Sequence, residues 1–234
     1  MKKALFYVLG TAFIVAPAAM LAQSKPTGAT YITDEEVKTV NALPGIDRTI
    51  KVVDIGPENF AVGVIHRAAP AAGRGAAAGA GAGAARGTGA GAGAGAAAGG
   101  GAGRGAAPAA EPCGEQITAP PTGGTPGMIA HDQQTEGYLI ISGSGTLVTG
   151  GKIANGRKSA ADSPVTTELN GPSCSGMIVG ADVVKKVVKT GDIIIIPAGV
   201  PHGWSDIPEH VDYLSFRPSA RVLAAGYTHQ SIKK

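Results

Sequence analysis

The chain is 234 residues long and sets 20 lysines and arginines against 17 aspartates and glutamates, a formal charge of +3. Two of those lysines, Lys2 and Lys3, lie in a leader-like start; without it the charge falls by two, from +3 to +1, which leaves no electrostatic footprint for nucleic acid. The 44% of hydrophobic residues overstates the core, because much of it is alanine in one Gly/Ala-rich stretch.

The start reads as an address. A basic "MKK" precedes the apolar run "ALFYVLGTAFIVAPAAM" and then "LAQS". This is the pattern of a secretory signal peptide over residues 1–22, with cleavage after Ala22. Met20 stands where a small residue is preferred, so cleavage near Ala18 or Ala19 is the alternative. Pro17 and the polar chain beyond it argue against a retained anchor, and no later segment is long and apolar enough to span a bilayer. The expectation is a secreted protein, in the periplasm, with no stable membrane insertion after cleavage.

"ITDEEVKTVNAL" predicts a short helix capped by Thr33, with Glu36 completing a capping box. "RTIKVVDIG" and "NFAVGVIHR" predict two strands separated by "PEN". Residues 68–112 then run almost entirely in Gly and Ala, punctuated by Arg74, Arg86 and Arg104. Each glycine costs a helix about 1 kcal/mol relative to alanine, and there is no large side chain to bury. A disordered, flexible insert is the expectation; silk-like stacking of its "GAGAGAG" run is the competing reading.

Cys113, at the end of the insert, and Cys174 are the two cysteines. In an oxidising compartment a bridge is preferred over two free thiols. It would anchor the point where order resumes.

Beyond the insert, "MIAH" predicts a short strand, and "GYLIISGSGTLVTGG" a strand, a Gly-Ser-Gly turn and a second strand. "KIANGRKSAADSPVTTELNGPSCSG" is polar and loop-like. "KKVVKTGDIIIIPAGVPHGWSD" predicts strands joined by Thr-Gly-Asp, "HVDYLSFRP" another strand, and "SARVLAAGY" a short helix. Short strands at regular spacing with Gly and Pro turns indicate an all-β antiparallel sandwich or barrel. The glycines of "GSGTLVTGG" lack the strand-to-helix context and lysine of a phosphate loop. Residues 23–67 and 113–234 therefore read as the parts of one domain, the first supplying a helix and strands and the second the barrel core.

Two spaced motifs give the chain a family resemblance. In "GDIIIIPAGVPHGWSD", Gly191 is followed after five residues by Pro197-Ala-Gly199, after two more by His202, and after three more by Asp206. Upstream, Gly123 is followed after five residues by Ile129-Ala-His131, after four more by Glu136, and after six more by Gly143. These frames resemble the two motifs of the cupins, a jelly-roll β-barrel family. There are two departures. Asp206 stands for the family's Asn, and Ile129 stands where the first motif places its first histidine.

The resemblance implies a cupin-type barrel with short flanking helices. It also implies a single divalent metal ion, Fe, Mn or Zn, held by His131, Glu136 and His202. Residues two apart on a strand face the same way, so positions 129 and 131 would both point inward. Two histidines and one carboxylate form the facial triad of non-haem iron enzymes, and the same set suits other divalent ions. Gln133 is a further candidate ligand and His66 a more remote one. Ile129, Tyr138 and Trp204 are candidates to line the pocket, and Glu136 would double as a general base if it leaves the metal. Two functional readings stay open. One is a metal-dependent oxygenase or isomerase acting on a small molecule; the other is a metal-free, non-catalytic small-molecule binding module. The resemblance also makes a homodimer an expectation, since exposed sheet edges need cover.

Overall fold

The computed structural model describes residues 28–69, 110–119 and 122–233. The expected signal peptide lies outside them, as does the Gly/Ala stretch apart from its edges.

The described chain is antiparallel β-structure with short helical pieces. Helix α1 (Asp34–Asn41) starts as the sequence indicates: the Thr33 side chain accepts from the Glu36 backbone N–H, and Glu36 reaches back to the Thr33 N–H. Eleven strands follow among the described residues. They are β1 (Asp47–Asp54), β2 (Asn59–Ala68), β3 (Pro112–Cys113), β4 (Thr125–His131), β5 (Glu136–Thr149), β6 (Lys152–Lys158), β7 (Ser173–Val179), β8 (Val184–Lys189), β9 (Ile193–Ile196), β10 (His202–Asp206) and β11 (His210–Ser219). Neighbouring strands run in the order β1-β2-β11-β5-β10-β4-β7-β6-β3, and β8 and β9 also pair with β5.

Strand β5 joins the two halves of this barrel. Its first half pairs with β11 and β9, its second with β10 and β8. It is one 14-residue strand, where the sequence suggested a hairpin turn at Gly143-Ser-Gly. The glycines bend the strand without reversing it. Gly143 has φ +72°, and a Cβ there would lie 2.0 Å from the His210 carbonyl oxygen, so this crossing admits only glycine.

Two further expectations are corrected. "KIANGRKSAADSPVTTELNGPSCSG" holds two strands, β6 and β7, around a π-helical turn at Val165–Leu169. Its polar residues hid strands that bury Ile153, Ala154 and Cys174. The strands β8 and β9, joined by Thr190-Gly191-Asp192 as expected, lie end to end along β5. No helix forms over "SARVLAAGY". The chain there is irregular, with Leu223 buried against Val52 and Ala61 and its carbonyl held by the Asn59 side chain.

The barrel interior is filled by Ile65, Tyr138, Ile140, Leu147, Ile196, Trp204, Val211 and Tyr213. A second cluster, Met128, Val148, Ile153, Cys174 and Ile178, packs between β4, β6 and β7. Helix α1 covers the outer face of β1 and β2, with Val40 fully buried against Ile50 and Val64; burying one such valine contributes about 1.5–3 kcal/mol. Cys113 and Cys174 form a disulfide, the preferred reading of the two.

Candidate metal centre

The two motifs meet through backbone as well as side chains. Strand β10 lies between β4 and β5, with His202 opposite both Ile129 and Thr149. The turn before it is closed by a hydrogen bond from the Val200 N–H to the Pro197 carbonyl, and the Gly199 N–H donates to the His131 carbonyl at 2.7 Å. Gly199 adopts φ +80°, which the tight turn requires. The first motif is thus clamped to the second at the residue that carries its histidine.

His131 ends β4, Glu136 begins β5 and His202 begins β10. Each is at least 96% buried, and one ligand atom from each lies within 4.8 Å of the others. The Glu136 Oε2 is 3.3 Å from the His131 Nε2 and 3.0 Å from the His202 Nε2. It also accepts from the Tyr138 hydroxyl at 2.6 Å. Oε1 accepts from the Arg217 Nε at 2.8 Å and the Ser215 hydroxyl at 3.2 Å. Arg217 continues to the Leu169 carbonyl and, at 2.5 Å, to Asp47.

The far side of each imidazole fixes what Nε2 presents. The His202 Nδ1 lies 2.9 Å from the Val200 carbonyl. A carbonyl only accepts, so Nδ1 carries the proton. The His131 Nδ1 lies 2.9 Å from the Ser173 hydroxyl, which donates its own proton to the Gly171 carbonyl. Ser173 therefore accepts, and the His131 Nδ1 is protonated too. In their neutral forms both rings direct an Nε2 lone pair at an ionised carboxylate oxygen. Three electron-rich atoms converging at 3.0–3.3 Å need a cation among them, either a proton or a metal ion. Nδ1–H groups anchored on oxygen are also what orient histidine ligands in metal sites.

Electrostatics favour the metal. Burial pushes the His131 pKa down, only partly offset by Glu136, so the ring stays neutral at pH 7. Burial alone would raise the Glu136 pKa, but His131 and Arg217 outweigh it and hold the carboxyl well below its usual range. Burial and the Glu136 charge push the Tyr138 phenol well up, so it remains a donor. A neutral His131 beside an ionised Glu136 is the pairing of protonation states that metal ligation requires. The donor set fits a divalent ion.

These groups line a cavity of about 30 Å³. Ile129, Tyr138 and Trp204 line it as well, with Asp47, Arg67, Asn170, Tyr213 and Arg217. Gln133 is not among them: it is exposed, and Gln134 is the buried neighbour. Strand β4 stops at His131 and the chain bends through Asp132 and Gln133, so the two-residue alternation does not carry across. His66 pairs with Asp212 at 2.6 Å and stacks on His210, away from the cavity. Asp206 is exposed at the end of β10.

Sequence reasoning missed Arg217, Ser215, Ser173 and Asp47. A signal for two of them existed. In "HVDYLSFRP" the apolar positions Val211 and Tyr213 set the inward face, and Ser215 and Arg217 continue it. A buried arginine on an inward face needs an acid, and Glu136 was already a candidate.

No family model and no curated protein matches the chain. Several solved structures resemble it. A recombinant oxalate oxidase in complex with glycolate is 13% identical with a TM-score of 0.31, over 83% of this chain and 63% of that one. A further oxalate oxidase structure is 15% identical with a TM-score of 0.28, over 92% and 69%. Peruvianin-I, a cysteine peptidase from Thevetia peruviana latex, is 9% identical with a TM-score of 0.28, over 81% and 76%.

Proposed function

We propose that this chain is a secreted cupin that holds one divalent metal ion on His131, Glu136 and His202 and uses it on a small molecule. The observation that carries the reading is the pair of Nδ1-anchored imidazoles whose Nε2 lone pairs converge on the Glu136 carboxylate. A divalent ion held there supplies Lewis acidity or, if it is iron, oxygen chemistry. The protein's own groups prepare the site. Ser173 and Val200 fix the imidazole tautomers, Arg217 and Ser215 hold the Glu136 charge, and Tyr138 donates to its metal-facing oxygen.

Ile129 keeps the place of a fourth ligand apolar, which leaves coordination positions for water and substrate. The cavity has room for two or three water-sized groups, at about 10–15 Å³ for each. That size disfavours the metal-free binding module, which would need a larger pocket. Export is supported by the leader-like residues 1–22 and by the Cys113–Cys174 disulfide, a bond kept in oxidising compartments. Homodimerisation through an exposed sheet edge is part of the same reading.

The test is metal content. Mature protein purified without added metal should carry about one equivalent, lost in His202→Ala, since three protein ligands are needed to hold the ion. Wild-type protein that takes up none from excess Fe(II), Mn(II) or Zn(II) would refute the proposal.

A further inference from the structure

A second charged group faces the metal cavity and has no part in holding the ligands. Arg67 lies on β2, two residues beyond Ile65 on the same inward face, and lines the cavity. Its Nε donates to the Tyr213 hydroxyl at 3.2 Å, and Tyr213 in turn accepts from the Trp204 indole at 3.3 Å. Among the described residues, neither terminal nitrogen of Arg67 has a partner. Arg217, by contrast, spends its donors on Glu136, Asp47 and Leu169.

Charge counting agrees. The charged residues that line the cavity are Asp47, Glu136, Arg67 and Arg217, which cancel. A divalent ion on neutral histidines leaves a surplus of two positive charges in a largely buried space. Asp47 and Asn170 line the same cavity, and each has one buried, unpartnered acceptor oxygen. Those oxygens take donors, such as water or a substrate hydroxyl, and so leave an anion to the Arg67 end.

Resting on the metal reading above, we infer that Arg67 is the anion-binding residue of the site and that the substrate is a small carboxylate. The planar guanidinium fork matches a carboxylate. The cavity volume, about 30 Å³, limits that substrate to a few heavy atoms beyond those the metal already displaces.

The experiment titrates acetate, and separately its neutral counterpart acetamide, into Zn(II)-loaded protein by calorimetry. Bound zinc and the melting temperature are measured on the same samples. Wild-type protein should bind acetate about ten- to hundredfold more tightly than acetamide, the range of one charge-assisted hydrogen bond. Arg67→Gln should lose about the same factor for acetate while keeping one zinc. Arg67→Lys, which keeps the charge but not the fork, should bind acetate more tightly than Arg67→Gln and more weakly than wild type; this graded order separates a binding role from a structural one. Full zinc loading with acetate affinity unchanged in Arg67→Gln overturns this inference and leaves the metal reading standing. Wild-type protein that holds no zinc, and takes up no Fe(II) or Mn(II) in its place, overturns the metal reading, and this inference with it.

Discussion

Replacing Arg217 with methionine tests the electrostatic design of the site most directly. Arg217 is 1% exposed and bridges two carboxylates, at 2.8 Å to Glu136 and 2.5 Å to Asp47. Methionine keeps much of the volume and removes every donor. Breaking a buried ion pair from one side costs about 3–5 kcal/mol, because the remaining charge is left uncompensated. For a domain of this size each kcal/mol moves the melting temperature by about 2–4 °C, so Arg217→Met should melt about 6–20 °C below wild type at pH 7.5. The assay is thermal unfolding in the presence of a chelator, so that no metal contributes. The deficit should also depend on pH. In wild type the Glu136 pKa is depressed, so its stabilising contribution is present above the unfolded value of about 4.3 and lost as pH falls below it. Without Arg217, burial holds the carboxyl less acidic and a neutral Glu136 needs no guanidinium, so the gap between the two proteins should narrow at pH 4. A variant melting within about 2 °C of wild type at pH 7.5 would refute the argument that Arg217 holds the Glu136 charge.

Further outcomes follow from the same geometry. Ser173→Ala removes the acceptor of the His131 Nδ1–H and should weaken zinc about 10- to 100-fold in a chelator competition; an unchanged affinity would show that Ser173 does not orient the ligand. Ile129→His restores a histidine two residues before His131 and opposite His202, and should tighten zinc by at least about tenfold if the added imidazole reaches the ion. The folded-state pKa of His131 is lowered by burial, so the metal-free protein should lose stability as pH falls below the unfolded value of about 6.5, where the unfolded chain takes up the proton first. His131→Gln should flatten that part of the melting-temperature profile between about pH 6.5 and 5, and a profile of unchanged slope would count against a neutral, buried His131.

Much of this was legible in the sequence because spacing survives where pattern does not. The fixed gaps around His131, Glu136 and His202 named three residues that the structure brings within 4.8 Å of one another. Short strand-like runs bounded by turn residues marked β1, β2 and β11, but reading by residue type and parity has limits. It failed at β6 and β7, where small and polar residues such as Ala154, Ser173 and Cys174 are buried on both faces of the strands. It failed again at Gln133, because a parity argument assumes an unbroken strand and β4 ends two residues earlier. The helix expected over "SARVLAAGY" rested on alanine and leucine propensity. Burial of Leu223 against Val52 and Ala61, with its carbonyl on the Asn59 amide, outweighs the few tenths of a kcal/mol per residue that propensity offers. The partners of Glu136 were hidden for another reason. Arg217 is 81 residues away and Asp47 a further 170 from Arg217, and no local pattern links them.

The chain order of the site has a consequence for fragment complementation. All three candidate metal ligands and both cysteines follow the Gly/Ala stretch, whereas Asp47 and Arg67 precede it. The disulfide therefore does not tie the two parts together. What joins them is the ten-pair ladder of β2 on β11 together with side-chain links such as Asp47 to Arg217, His66 to Asp212 and Asn59 to the Leu223 carbonyl. A backbone cut within residues 70–109 would yield two polypeptides. One carries the ion ligands and the other the guanidinium that we assign to the anion, so co-expressed halves would reconstitute the cavity only when the β2–β11 seam closes.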